Sequence, residues 1–308
     1  DSCQAAALID LQFAKARLAY RMKASVPAIT CDRVIVLKKA RHPLIDPKKI
    51  VPVDISLGTE FDTLVITGPN TGGKTVALKT LGLMTLMALC GLMLPVADGS
   101  RVSVFDHVLA DIGDEQSIEQ SLSTFSGHIS NIISILATAG SGSLVLLDEL
   151  GAGTDPVEGA ALAVAIIERL RELGARLAAT THYAEIKMYA LQTPGVENGS
   201  CEFDVETLSP TYRLLIGVPG RSNAFAIGGR LGLSDDIIQR AKAYVSSENT
   251  RFEDVISSLE QTRRQLEQEQ QTAQALRAES QQLKAAAAAE AQRLTRERER
   301  LLEQARQE

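Results

Sequence analysis

Gly68-Pro69-Asn70-Thr71-Gly72-Gly73-Lys74-Thr75 is the stretch whose reading decides the fold. Every fixed position of a G-x-x-x-x-G-K-[ST] phosphate loop is filled. The apolar run Leu64-Val65-Ile66 precedes it, and Val76-Ala77-Leu78-Lys79-Thr80-Leu81 follows with helical character. Strand, glycine loop and helix in that order form the context a phosphate site requires. Glycines let backbone N–H groups turn inward, and the helix N-terminus adds its own attraction for anions. In this reading Lys74 reaches the β- and γ-phosphates, and the Thr75 hydroxyl ligates Mg²⁺.

Leu144-Val145-Leu146-Leu147-Asp148-Glu149 is the partner run. Four consecutive apolar residues predict a strand buried on both faces, as in a parallel sheet. Asp148 then emerges at the strand's carboxyl end, where α/β sheets place their ligands. A carboxylate there serves the Mg²⁺ shell, and Glu149 beside it can polarise an attacking water. Together the two runs predict a site that hydrolyses a nucleotide.

The 308 residues suffice for one large domain with appendages, or for two domains. Apolar residues make up 45 %, aromatics only 4 %, and Trp is absent. With a net charge of −6, the chain as a whole carries no basic footprint for nucleic acid. Cys3, Cys31, Cys90 and Cys201 are widely spaced, which favours reduced thiols in a cytoplasmic protein over disulfides or a zinc site. No leader peptide is evident. The apolar stretch from Leu81 to Leu94 is short for a membrane span and continues the phosphate-loop helix, so it predicts a buried core helix.

Taken in order, residues 1–24 predict a helix ended before Pro27, and Arg33 to Leu37 a strand. Arg101 to Phe105 and His107 to Asp111 predict further strands, followed by a polar loop containing Gln116. Ser123 and Thr124 precede the amphipathic run Ile129–Leu136, where a hydroxyl can cap the helix. Pro156 and Glu158 favour helix initiation, and Ala160 to Leu173 continues that helix. Leu177 to Thr181 predicts a second buried strand ending at His182, which suits either a structural hydrogen bond or a role on the ligand edge. Two strands are expected around Ser209-Pro210, and a capped helix over 234–246. The alternation predicts an α/β fold with an open mixed sheet flanked by helices. From Arg251 to Glu308 neither Gly nor Pro occurs. A continuous helix there would run about 85 Å, and its heptad seam is thin because many alternate positions are polar.

These motifs, in this order and spacing, resemble the MutS family of ABC-type ATPases. The likeness rests on the phosphate loop, Ser123-Thr124-Phe125, Asp148-Glu149 with Gly151-Ala152-Gly153-Thr154, and Thr181-His182-Tyr183. Asp111 to Ser121, Gly153-Thr154-Asp155-Pro156 and Pro219 to Phe225 are similar to the second bacterial branch, MutS-II. Where mismatch-repair members carry Glu three residues after the phenylalanine, this chain has His128.

The resemblance implies a P-loop NTPase of ABC type, with residues 1–29 ending a helical core, 30–248 forming the ATPase domain and 249–308 a long helical linker. It implies a homodimer with composite ATP sites, in which Gly68, Asn70, Thr71, Gly72, Gly73, Lys74 and Thr75 of one subunit face Ser123 and Thr124 of the other. Glu149 and His182 act on the reaction, and Thr75, Asp148 and Gln116 lie on the metal side. Ile50 stands where relatives stack an aromatic ring on adenine. MutS-II proteins typically carry a further Smr domain associated with nuclease activity, and no such segment is recognisable here. The family binds branched DNA and suppresses homologous recombination, and it is also implicated in separating collided ribosomes. Ser121 to Phe125 departs from the L-S-G-G-Q signature of membrane-transporter subunits. A nucleotide-gated clamp of the chromosome-organising ABC class remains the other reading.

Overall fold

The structure, a computed structural model, describes residues 2–68, 72–113, 124–204, 209–220 and 224–244, and helical positions scattered between 258 and 284. Asn70, Thr71, Gln116 and Ser123 lie outside the described residues, as does the side chain of Thr124. The chain divides into two compact units, Asp1–Ile256 and Ser257–Glu308. In the second, every described position is helical and exposed.

The first unit is built on a six-stranded sheet. Its strands are β4 (Thr63–Thr67), β6 (His107–Asp111), β7 (Ser143–Leu147), β8 (Arg176–Thr180), β9 (Val196–Asp204) and β10 (Ser209–Ile216). Their spatial order is β10-β9-β4-β8-β7-β6. All neighbours run parallel except the β9–β10 hairpin at one edge. Strand β8 enters between β4 and β7, although β7 precedes it in the chain, so the crossover sets three carboxyl ends side by side.

The continuous apolar runs resolve into two alternating faces, as the two-residue strand period requires. Leu64, Ile66, Leu144, Leu146 and Ala178 enter one core, while Val65, Val145, Leu147, Leu177 and Ala179 enter the other. The first core holds α2 (Lys74–Leu89). This helix is apolar almost all round because a second, four-stranded sheet contributes to the same core. That sheet contains β1 (Ala28–Thr30), β2 (Ile35–Ala40), β3 (Val53–Leu57) and β5 (Arg101–Ser103), ordered β1-β5-β2-β3. The expectation of one open sheet thus holds in class but not in number. Arg101 to Ser103 joins the smaller sheet, and the phosphate-loop strand joins the larger.

On the opposite face pack α3 (Thr124–Thr138), α4 (Pro156–Glu172) and α5 (Ala184–Gln192). Asp155 caps α4, its Oδ1 accepting from the N–H groups of Val157 and Glu158, with Pro156 at the first turn. The N-terminal helix α1 (Ser2–Met22) touches the body through Ala19, which is buried, and through Lys15 Nζ, which donates to the Cys90 carbonyl. Two short helices, α6 (Ala224–Arg230) and α7 (Asp235–Ala243), follow the hairpin. Ser234 sits at the N-terminus of α7 as expected, but its side chain makes no capping bond. No described helix is long and apolar enough to cross a membrane. The stretch beginning at Leu81 lies in α2, within the core.

Candidate nucleotide-hydrolysis site

Parallel register brings the expected residues to one edge. Ile66 pairs with Thr180, and Leu147 with Ala179, so the segments following β4, β8 and β7 leave the sheet at one level. Lys74 opens α2 after β4, Asp148 and Glu149 follow β7, and His182 follows β8.

Gly73 precedes α2 at φ +92°, a left-handed conformation that glycine adopts without steric cost. An added Cβ there would also lie 2.9 Å from Tyr212 Cδ1. Behind the loop, the Gly220 N–H donates to Thr67 Oγ1 at 2.7 Å, and Lys187 Nζ donates to the Gly220 carbonyl at 2.7 Å. A Cβ on Gly220 would stand 2.9 Å from the Gly68 nitrogen, so residue 220 can lie this close to the start of the phosphate loop only as glycine.

Lys74 is 2 % exposed. Its Nζ donates to the Gly68 carbonyl at 2.6 Å and meets His182 Nε2 at 3.0 Å. An ammonium only donates, so the imidazole nitrogen facing it is the acceptor. Burial pulls the Lys74 ammonium down to about 8, opposed by its electrostatic interaction with Cys201, Glu149 and Asp148. Burial, followed by the positive charges of Lys74 and Lys187, lowers His182 and favours the neutral ring. Cys201, buried beside the loop, has its thiol pushed up to about 12 by burial, which leaves it unreactive.

Thr180 holds the acidic pair in place. Its hydroxyl donates to Asp148 Oδ1 and accepts from the Glu149 N–H at 2.8 Å. The Asp148 N–H donates to the Asp111 carbonyl, and the Leu150 N–H to the Thr180 carbonyl. Glu149 adopts φ +50°, where a side chain with a Cβ is strained, and these bonds hold the turn there. Thr75, Lys79, Gly113, His128, Asp148 and Glu149 line one polar cleft of about 180 Å³. Among the described residues no cluster of three His, Cys, Asp or Glu side chains could hold a metal ion. The Thr75 hydroxyl and the Asp148 carboxylate share that cleft as hard oxygen donors, a set that suits Mg²⁺ completed by phosphate oxygens and water rather than an all-protein cage.

The expected residues thus fall into three groups. Gly68, Gly72, Gly73, Lys74, Thr75, Asp148, Glu149 and His182 gather at the sheet edge. Asn70, Thr71, Gln116 and Ser123 lie outside the described residues, as does the side chain of Thr124. Ile50 is half-buried, its N–H donating to the Asp46 carbonyl, and it does not line the cleft. Sequence reasoning missed Thr180, whose only signal was its place two residues before His182, and Tyr212, whose ring lies against Gly73 from a distant strand.

The model of MutS domain V matches residues 64–248. Curated relatives named endonuclease MutS2 are similar over most of the chain. That of Caldanaerobacter subterraneus subsp. tengcongensis is 63 % identical over 255 residues, covering 83 % of this chain and 32 % of the relative. Those of Ruminiclostridium cellulolyticum and Geobacillus kaustophilus are 60 % and 57 % identical, covering 85 % and 92 % of this chain and 33 % and 36 % of their own lengths. The chain therefore spans about a third of the length of the curated relatives it matches.

Two predictions follow from the geometry. Thr180→Val keeps the side chain's shape but removes the bridge, so hydrolysis per bound nucleotide should fall about 10²-fold, as for a small misplacement of reacting groups. Quench-flow on pre-bound ATP measures it, and a rate within twofold of wild type would show that the bridge does not position the acidic pair. Lys74, near 8 in the structure, should be driven to its ammonium form by triphosphate charge. Binding should thus take up protons, and the uptake should grow as pH rises from 7 to 9. Calorimetry in buffers of different ionisation enthalpy reads this, and equal uptake at both ends would contradict it.

Proposed function

The chain belongs to the MutS family through its domain V and is the nucleotide-binding ATPase module of a MutS2-like protein, and from that premise we propose that Mg-dependent ATP hydrolysis opens and closes it as a dimer. The observation that carries this reading is the meeting of Lys74, Thr75, Asp148, Glu149 and His182 at the adjacent carboxyl ends of β4, β7 and β8.

In this reading each residue has its own role. Lys74 holds the β- and γ-phosphates. Thr75 and Asp148 hold Mg²⁺, which supplies charge neutralisation on the phosphate oxygens when bound. Glu149 accepts the proton of the attacking water. His182, kept neutral by burial and by the two nearby ammonium groups, donates or accepts at the γ-phosphate and reports its loss. Ser123 and Thr124 act on the nucleotide of a second subunit, which makes each site composite. The ATPase domain covers residues 30–248, with 1–29 and 249–308 joining it to the rest of the protein.

In the whole protein, dimer closure grips branched DNA in the cytoplasm and suppresses homologous recombination. The nuclease activity in the relatives' name is assigned to a part of the protein other than these residues.

Glu149→Gln tests the reading, since an amide cannot take the water's proton. Single-turnover hydrolysis should fall about 10²–10⁴-fold, while Mg-ATP remains bound and sedimentation shows a persistent dimer. With the full-length variant, that trapped state should retain a four-way DNA junction over linear duplex. Hydrolysis at the wild-type rate would remove Glu149 as the base, and a protein monomeric at saturating ATP would remove the closure mechanism.

A further inference from the structure

His128 and Asp111 form a dyad in the cleft that the roles above leave unused. Asp111 ends the edge strand β6 and is 6 % exposed. Its Oδ2 meets His128 Nδ1 at 2.8 Å, and its Oδ1 accepts from Asn131 Nδ2 at 2.9 Å. His128 and Asn131 lie three residues apart on α3, so one helix face presents both to the same carboxylate. The Asp111 carbonyl also accepts the Asp148 N–H, which fixes this strand end against the acidic turn. His128 lines the polar cleft with Thr75, Lys79, Asp148 and Glu149, and also the adjoining apolar hollow with Phe125, Glu149 and Leu150.

A carboxylate only accepts, so the bond to Asp111 places the ring proton on Nδ1. Nε2 of the neutral ring is then the acceptor nitrogen that remains for the cleft. An attacking water has two hydrogens. With one acceptor it can rotate, and its lone pair wanders from the phosphorus. With two fixed acceptors the lone pair is aimed, and such orientation is a large part of catalysis.

We propose that His128, oriented by Asp111, is a second catalytic residue of this ATPase, accepting through Nε2 the hydrogen of the attacking water that Glu149 does not take. The inference rests on reading the cleft as the hydrolytic site. In the step, the water's O–H bond to Glu149 breaks and its proton passes to that carboxylate. The new O–P bond forms as the bridging O–P bond to departing ADP breaks. The hydrogen held by His128 stays on oxygen and leaves with inorganic phosphate.

The test separates the two ring nitrogens. In His128→Asn the amide nitrogen replaces Nδ1, keeping the bond to Asp111 and deleting Nε2. In His128→Gln the amide reaches the place of Nε2 and gives up Asp111. Single-turnover hydrolysis of radiolabelled ATP, counted per bound nucleotide so that loss of folded protein does not enter, is compared with affinity for a fluorescent ATP analogue. The expected result is a fall of about 10²-fold in H128N with affinity within twofold of wild type, and a rate for H128Q between the two. H128N hydrolysing within twofold of wild type, or no faster a rate in H128Q than in H128N, would overturn the proposal and leave the dyad as packing. E149Q run in parallel keeps the readings apart. If E149Q hydrolyses normally the cleft is not the hydrolytic site, whereas an inactive E149Q beside an unaffected H128N removes only the role of His128.

Discussion

The parallel insertion of β8 between β4 and β7 is the constraint on which the rest depends. Eight inter-strand pairs, four between β4 and β8 and four between β7 and β8, set the levels at which three chains leave the sheet. A slip of one residue in any of them would turn that strand's buried side chains to the opposite core. Because both faces are packed, against α2 and the small sheet on one side and against α3, α4 and α5 on the other, neither slip is tolerated. The fixed register delivers a lysine, two carboxylates and a histidine to one edge.

Polar groups gathered there are costly to bury unless paired. Thr180 satisfies two of them with one hydroxyl, Lys74 places its ammonium on the Gly68 carbonyl and the His182 ring, and Asp111 divides its carboxylate between His128 and Asn131. Two consequences bear on chemistry. Burial, and after it the charges of Lys74 and Lys187, favours neutral His182, so it can meet a phosphate as a hydrogen-bonding group rather than as a fixed cation. Glu149 is kept in a strained turn at φ +50° by partners on a neighbouring strand, which fixes where its carboxylate can go.

Much of this was legible in the chain. Leu64-Val65-Ile66 and Leu144 to Leu147 have no polar position, and only a strand covered on both faces explains that. The phosphate loop and Asp148-Glu149 carry their chemistry in the residue types themselves. The strand order was not legible, because it is decided by where a crossover helix packs and not by any local pattern. The second sheet was missed for a related reason. Strand β3 alternates as a half-buried strand should, but Asp54 and Ser56 dilute the signal over five residues. Helix α5 escaped notice because it is nine residues long and buries a lysine, Lys187, among its apolar positions. Its amine serves the Gly220 carbonyl, a partner 33 residues away. The pairing of His128 with Asp111 spans 17 residues and a polar loop, and neither residue alone signals the other.

The central claim is that one cleft, at the carboxyl ends of β4, β7 and β8, binds ATP and carries out its hydrolysis. The most direct measurement is a crystal structure of the protein with Mg²⁺, ADP and tetrafluoroaluminate, which mimics the phosphoryl group in transfer. The account predicts the fluoroaluminate within hydrogen-bonding distance of Lys74 Nζ and the His182 ring, the metal on Thr75, and a water between Glu149 and the aluminium. A nucleotide bound away from this edge, or a fluoroaluminate facing neither Lys74 nor Glu149, would contradict it.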